Sequence, residues 1–292
     1  MLSILIPTYN YDCTELLQKL STQSLSSTQK IEIIMCDDAS PDTSLKNINK
    51  EYCAHNNLVY IENRSNLGRT ATRNSLAKKA QYNWLLFLDA DVLPVSIEFI
   101  TGYTKHLKDS NEAVVGGIHY ESTRPGKAYK LRWEFGIKRE ARTAAQRNAY
   151  PYLLASGNLL IQKETFLKAN AFLGNNYGLD AFFGYQLKKL KTQILHIDNP
   201  VYHLGLETNE EFLNKSVRAL KTMVELESKG ILASNHTRLQ QIYQSTPGKT
   251  ILKSLISLFH KPIKKNLLGS KPSLLLFDLY RLNQYIKLKA DA

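Results

Sequence analysis

Two aspartates one residue apart stand directly after an apolar run: Trp84-Leu85-Leu86-Phe87-Leu88 leads into Asp89-Ala90-Asp91. Two carboxylates flanking a small residue at a strand end can approach one hard cation. Mg2+ and Mn2+ favour oxygen ligands, and Mg2+ commonly takes one or two carboxylates together with substrate phosphates. The chemistry within reach is metal-assisted handling of a diphosphate, in which a cation neutralises the charge developing on a leaving group. An Asp-x-Asp alone is more often a solvated acidic turn; the apolar run ahead of it strengthens the functional reading.

A second acidic pair, Asp37-Asp38, closes the apolar run Ile31 to Cys36 and is followed by Ala39-Ser40. A carboxylate there can accept hydrogen bonds from a base N–H or from ribose hydroxyls. It can equally cap a helix, which the local pattern alone favours. Asn66-Leu67-Gly68-Arg69 runs into Thr70-Ala71-Thr72-Arg73-Asn74. Gly68 permits a tight turn, and a helix start presents free N–H groups to anions. Arg73 can bridge a phosphate or an acidic side chain. His203, in Asn199-Pro200-Val201-Tyr202-His203, carries an imidazole, a reasonable ligand for Mn2+ and a poorer one for Mg2+; a lone histidine is more often structural.

These residues need a scaffold, and the first half of the chain alternates strand and helix signals. Apolar runs at Ser3 to Ile6, Ile31 to Cys36, Val59 to Glu62 and Trp84 to Leu88 predict strands. Thr14 to Ser24 and Thr70 to Ala80 predict helices. The alternation predicts an α/β fold with a mostly parallel sheet covered by helices on both faces. Three of the runs lead into Asn10, Asp37-Asp38 and Asp89-Asp91, and open parallel sheets bind ligands at the carboxyl ends of their strands. From about Glu207 the pattern turns helical and Lys-rich, with a helix predicted over Glu210 to Lys229. The expected division is a catalytic domain at 1–206 and a basic helical C-terminal extension at 207–292.

Hydrophobic residues make up 43% and charged residues 22% of the 292, which excludes a disordered chain. The net charge of +12 asks for an anionic partner. Residues 247–292 supply +7 of it, from nine Lys or Arg against two Asp. That concentration, with no nucleic-acid-binding motif, argues against nucleic acid as the partner. Cys13, Cys36 and Cys53 lack disulfide-framework or zinc spacing, so buried thiols in a reducing, cytoplasmic setting are expected. Met1 to Ile6 is too short and uncharged for a signal peptide. No run reaches the roughly 18 to 20 apolar residues of a membrane span, so a soluble or surface-bound protein is expected.

The ordered set of motifs resembles glycosyltransferase family 2, the inverting enzymes with the GT-A (Rossmann-like) fold. The matching stretches are Ser3 to Asn10, Ile34 to Ser40, Asn66-Leu67-Gly68 with Ala71 to Asn74, Leu86 to Asp91, and Ala155-Ser156-Gly157-Asn158-Leu159-Leu160-Ile161. They cover roughly residues 1–205. The resemblance implies that Pro7, Thr8 and Tyr9 line the nucleotide base and that Asp37 or Asp38 contacts base or ribose. It implies donor contacts from Asn66, Gly68, Arg73 and Ala90, with Asp89 near ribose or sugar. It makes Asp91 the direct ligand of Mn2+ or Mg2+, and His203 a third metal or phosphate contact. The family's base motif, Glu-Asp-x-Asp before Gly-Tyr-x-Leu, is met by Leu179-Asp180-Ala181-Phe182 before Gly184-Tyr185-Gln186-Leu187. Asp180 is then the catalytic base, while Leu179 and Phe182 depart from the pattern. Trp133, Arg139, Gly157 and Asn158 fall where the acceptor would be met.

The implied reaction moves a sugar from a nucleotide-sugar, UDP being the commonest donor nucleotide, to a saccharide or lipid-linked acceptor with formation of a β-linkage. A nucleotidyltransferase is the rival enzyme class, but Pro7-Thr8-Tyr9-Asn10 is not its Gly-rich loop. The departures at Leu179 and Phe182 also admit a catalytically silent scaffold. Finally, Ile251, Leu252, Leu255, Ile256, Leu258 and Phe259 can share one helical face, followed by Lys261, Lys264 and Lys265. Such a basic amphipathic tail predicts either packing on the catalytic domain or attachment to the anionic inner face of a membrane.

Overall fold

A computed structural model of the chain describes residues 1–107, 110–171 and 174–292. Among them the strands are β1 (Leu2–Thr8), β2 (Ile31–Asp37), β3 (Val59–Glu62), β4 (Trp84–Leu88), β5 (Val92–Pro94), β6 (Ala113–Val115), β7 (Ile118–His119), β8 (Asn158–Gln162), β9 (Ile194–His196) and β10 (Val201–His203). The main sheet runs β3-β2-β1-β4-β8-β6-β9. Neighbours are parallel from β3 to β4, β8 is antiparallel to both β4 and β6, and β9 is parallel to β6. Leu2, Ile4, Leu5 and Ile6 of β1 and Leu85 to Leu88 of β4 are all buried. These near-continuous apolar runs, instead of alternation, are what strands covered on both faces require.

The connecting helices Thr14–Leu25, Thr43–His55 and Arg69–Lys79 follow β1, β2 and β3 in turn. Asp42 caps the second of them, accepting from the Ser44 and Leu45 amides at 2.9 and 3.1 Å. The third buries polar residues, Thr72, Arg73 and Asn74, along with Leu76 and Ala77. A helix that buries a guanidinium has a use for it, since isolated buried charge is costly. A smaller sheet, β5-β10-β7, pairs β5 antiparallel with β10 so that Val92 lies opposite His203. The three cysteines are buried, and burial pushes the Cys13 and Cys36 thiols up to about 12 and Cys53 to about 11. They are inert packing groups.

The chain divides into two compact units. Unit 1 comprises Met1–His119, Ala141–Asn175 and Gln186–Gly205, and contains both sheets; unit 2 comprises Tyr120–Glu140, Asn176–Tyr185 and Leu206–Ala292. The core of unit 2 gathers Leu131, Phe212, Leu213, Ile256, Ile263, Leu267, Phe277 and Tyr280. Phe212 and Phe277 stack with centroids 5.2 Å apart, and Phe135 lies 5.3 and 5.6 Å from the two. Its longest helix, Asn209–Ser228, starts in a capping box of Thr208 and Glu211. The tail residues expected on one face divide: Leu252 and Ile256 join this core, whereas Ile251, Leu255, Leu258 and Phe259 are exposed. No helix among the described residues is long and apolar enough to cross a membrane.

Candidate active site

The site residues of unit 1 stand at the carboxyl ends of β1, β2 and β4, as the parallel sheet dictates. Asp89 is the first residue past β4. Arg73 Nη2 donates to its Oδ1 at 2.7 Å, and Arg69 reaches it with Nε at 3.2 Å and Nη2 at 2.9 Å. Arg73 also donates to Ser156 Oγ at 2.6 Å and to the Ser156 carbonyl at 3.0 Å, and lies over the Phe87 ring at 5.4 Å. Arg73 is buried, whereas the Asp89 side chain is 26% exposed. Burial opposes charge on Asp89, but the two guanidiniums more than offset it and hold the carboxyl far below the usual range. A Cβ on Gly157 would collide with Asp89 Oδ2, so the turn ahead of β8 must be glycine for the carboxylate to lie where it does.

Asp91 has a different neighbourhood. Its Oδ2 lies 3.4 Å from His203 Nε2, and the Leu204 amide donates to its carbonyl at 2.8 Å. The β5–β10 pairing explains this approach, because it sets the residues flanking Val92 beside His203. A Cβ on Gly205 would collide with Asp91 Oδ2, so this carboxylate too is seated against a glycine. Burial raises the Asp91 pKa, His203 works against that, and the Asp89 charge adds to it. The Tyr11 hydroxyl is likewise pushed up, by burial first and by the Asp91 charge second. The two aspartates thus differ: Asp89 is saturated with cationic donors, and Asp91 is a carboxylate short of positive charge.

That shortage fits a cation. Among the described residues no group of three or more His, Cys, Asp and Glu converges. Asp91 and His203 would therefore hold the ion with water and substrate oxygens completing its shell, the pattern Mg2+ shows with phosphates. An imidazole in the set suits Mn2+ better.

The other loops are tied to one another. Asp37 accepts from the Ser40 amide and hydroxyl, both at 2.7 Å, and Ser40 Oγ accepts from the Asn10 amide at 2.7 Å. Asp38 accepts from Asn63 Nδ2 at 2.8 Å and from the Leu67 and Gly68 amides at 3.0 and 2.8 Å. Directly after them Ala39 holds φ at 60°, a left-handed conformation costly for a residue with a Cβ. The second acidic pair therefore organises the loops after β1, β2 and β3. Pro7 and Thr8 end β1 beside Cys36 and Asp37, and Tyr9 is exposed beyond them. Asn66 is exposed in the Asp38-held loop; Gly68, at φ 82°, caps the Arg69 helix. Ala90 lies in the turn between β4 and β5.

Asn158 is fully buried: it donates to the Gly117 and Asn199 carbonyls and accepts from the Tyr103 hydroxyl at 2.6 Å. Its amide is spent on the fold. In unit 2, Trp133 is buried and donates to the Glu121 carbonyl at 2.8 Å, a packing residue. Arg139 pairs with Asp278 at 2.9 Å. Asp180 opens the helix Asp180–Lys189 and is half-buried. Leu179 and Phe182, where acids were expected, are 8% and 5% exposed. Their apolar character therefore serves burial, and Asp180 alone keeps a carboxylate there. Sequence reasoning passed over Tyr11, Arg69, Ser156 and Gly205 as site residues, although each lies in or near a quoted motif.

The model of glycosyl transferase family 2 matches residues 3–167, more than half of the chain. The chain belongs to this family. Within it, the chain is 36% identical over 92 residues to the UDP-Glc:alpha-D-GlcNAc-diphosphoundecaprenol beta-1,3-glucosyltransferase WfaP of Escherichia coli, covering 31% of this chain and 35% of that protein. It is 32% identical over 120 residues to the poly(ribitol-phosphate) beta-glucosyltransferase of Bacillus spizizenii, covering 40% of this chain and 19% of that one. The chain thus spans well under half the length of these curated relatives. In fold it is similar to the mannosyltransferase PcManGT from Pyrobaculum calidifontis in complex with GDP-Man and Mn2+, with a TM-score of 0.59 at 13% identity over 99% of this chain and 86% of that one. The family-2 fold here is GT-A, a mostly parallel sheet with helices.

Proposed function

We propose that this family-2 member is an inverting glycosyltransferase that moves a sugar from a nucleotide-diphospho-sugar to a hydroxyl of a saccharide or lipid-linked acceptor. The product is a β-linked saccharide of a surface polysaccharide, made at the inner face of the cytoplasmic membrane. The observation that carries this reading is the division of labour in Asp89-Ala90-Asp91: one carboxylate saturated by Arg69 and Arg73, the other paired with His203 and short of positive charge. A UDP-sugar donor is supported by the Escherichia coli relative, whose name specifies UDP-Glc and a diphosphoundecaprenol-linked sugar. The Pyrobaculum protein, similar in fold, is seen with Mn2+.

Asp91 and His203 would bind Mn2+ or Mg2+, which when bound supplies positive charge to the departing diphosphate. Arg69 and Arg73 fix Asp89 for ribose or sugar hydroxyls. Pro7, Thr8 and Tyr9 border the base, and the Asp38-held loop of Asn66 and Gly68 shapes the pocket floor. Asp180 accepts the proton of the attacking hydroxyl, which adds to the anomeric carbon from the face opposite the leaving group and converts an α-linked donor into a β-linked product.

Titration calorimetry with UDP and with GDP, each with and without Mn2+ and repeated on Asp91→Ala, tests the reading. Metal-dependent binding of UDP that the variant loses supports it. Metal-independent binding, or equal binding by Asp91→Ala, defeats the assignment.

A further inference from the structure

The helix Lys249–Leu258 carries two apolar faces with two different fates. Leu252 and Ile256 pack into the core of unit 2. Ile251, Leu255 and Leu258 are 69%, 51% and 77% exposed, and Phe259, which follows, is 60% exposed. At 3.6 residues per turn the three helical side chains lie within an arc of roughly 60°, turned by about 100° from the pair that packs inward. The helix is therefore anchored by one stripe and presents another outward. Scattered apolar residues on a surface need no explanation, but a contiguous stripe of large ones does.

The charge around the stripe says what covers it. From Pro247 to Phe277 the chain has six lysines and no acidic residue. Lys261, Lys265 and Lys271 are exposed, Lys264 reaches Glu210 at 3.7 Å, and Lys249 lies over the Tyr243 ring at 5.0 Å. A second copy of this chain would bring lysines against lysines. A protein partner is poorly matched, since interfaces are depleted in lysine. A bilayer with acidic headgroups offers hydrocarbon and negative charge in one plane, the combination that an amphipathic helix of this kind takes up.

We infer that unit 2 docks on anionic phospholipid through Ile251, Leu255, Leu258 and Phe259, with Lys261, Lys265 and Lys271 on the headgroups. The inference stands without the donor chemistry, because it rests on this surface alone. It gives the enzyme a way to meet a lipid-borne substrate without any membrane-spanning segment among the described residues.

The test is sedimentation of the full chain with vesicles of phosphatidylcholine, alone and mixed with phosphatidylglycerol, at low and high salt. Binding is expected only with phosphatidylglycerol and should weaken with salt. Leu258→Glu with Phe259→Glu should lower the partition coefficient more than about ten-fold. Lys261→Gln and Lys265→Gln should each lower it about five-fold. All these side chains are exposed, so melting temperature and metal-dependent UDP binding should match the parent, which separates this outcome from failure of the donor site. Two results overturn the inference: no sedimentation of the parent with phosphatidylglycerol vesicles, or a parent dimer in light scattering that Leu258→Glu abolishes while vesicle binding persists.

Discussion

Replacing Asp89 and Asp91 by asparagine should have opposite consequences, although the two residues are separated only by Ala90. Asp89 receives three charged hydrogen bonds, at 2.7, 2.9 and 3.2 Å, from two guanidiniums, one of them buried. Breaking a buried ion pair costs about 3–5 kcal/mol. The Asp89 side chain is a quarter exposed, and asparagine keeps one acceptor oxygen, so the loss should be about 2–3 kcal/mol. For a chain of this size that lowers the melting temperature by roughly 4–12 °C. Asp91 is the reverse: burial and the Asp89 charge both disfavour its ionised form. At neutral pH Asp91→Asn should therefore leave the melting temperature unchanged or raise it. It should also weaken Mn2+-dependent UDP binding by at least the about 10–100-fold that loss of a mere supporting residue brings to a metal site. Thermal melts and calorimetry on both variants decide the matter. A destabilised Asp91→Asn that still binds UDP with metal, beside a stable Asp89→Asn that does not, would show that the roles have been assigned the wrong way round.

Gly205→Ala should reproduce part of the Asp91 defect, since the added methyl collides with Asp91 Oδ2; metal-dependent UDP binding in calorimetry should fall, though less than in Asp91→Ala. Asp180→Asn should cut turnover by about 10²–10⁴ with nucleotide affinity nearly intact in calorimetry, and parallel losses of both would remove Asp180 from the base role. His196 is buried on β9, its Nε2–H donates to the Pro151 carbonyl at 3.0 Å, and burial, aided by the Arg147 charge, lowers its pKa. A histidine whose folded pKa lies below its unfolded value of about 6.5 contributes stability above that pH and loses it as pH falls. Melting temperature should thus drop on acidification through that range, and the drop should be smaller in His196→Gln.

Much of the main sheet can be read from the sequence because its central strands are covered on both faces. The apolar runs Ile31 to Cys36 and Trp84 to Leu88 mark β2 and β4 for this reason, whereas Val59 to Glu62 coincides with the edge strand β3, which has no buried residue and is marked by its β-branched and aromatic side chains instead. The two- and three-residue strands β5, β7 and β10 carry no such signal, since their pairing is made by distant partners such as Val92 and His203. The aspartates announced themselves by their strand ends. Arg69 and Tyr11 did not, because a guanidinium or phenol acquires its meaning only from the carboxylate that folding sets beside it. The tail shows a different limit: a hydrophobic period marks the apolar residues of one helix, and cannot say that Leu252 enters the core of unit 2 while Leu255 stays exposed. That Leu131 belongs with Phe212 is likewise a long-range fact with no local signature.

The path of the chain has a consequence for biosynthesis. It passes between the two units five times, and each unit is built from three separate segments. On an emerging polypeptide, unit 1 has all its strands once Gly205 is out, and its sheets can close. The aromatic stack of unit 2 is completed only by Phe277, which packs on both Phe135 and Phe212 and arrives with the helix Leu274–Ala290. During that interval the segments Tyr120–Glu140 and Asn176–Tyr185 hang as unfinished excursions from a formed sheet, with Leu131, Trp133 and Phe182 still in water. The stretch carrying Asp180 is one of these, so the unit 1 residues around Asp89 and Asp91 can be in place while Asp180 still waits for the rest of its own unit.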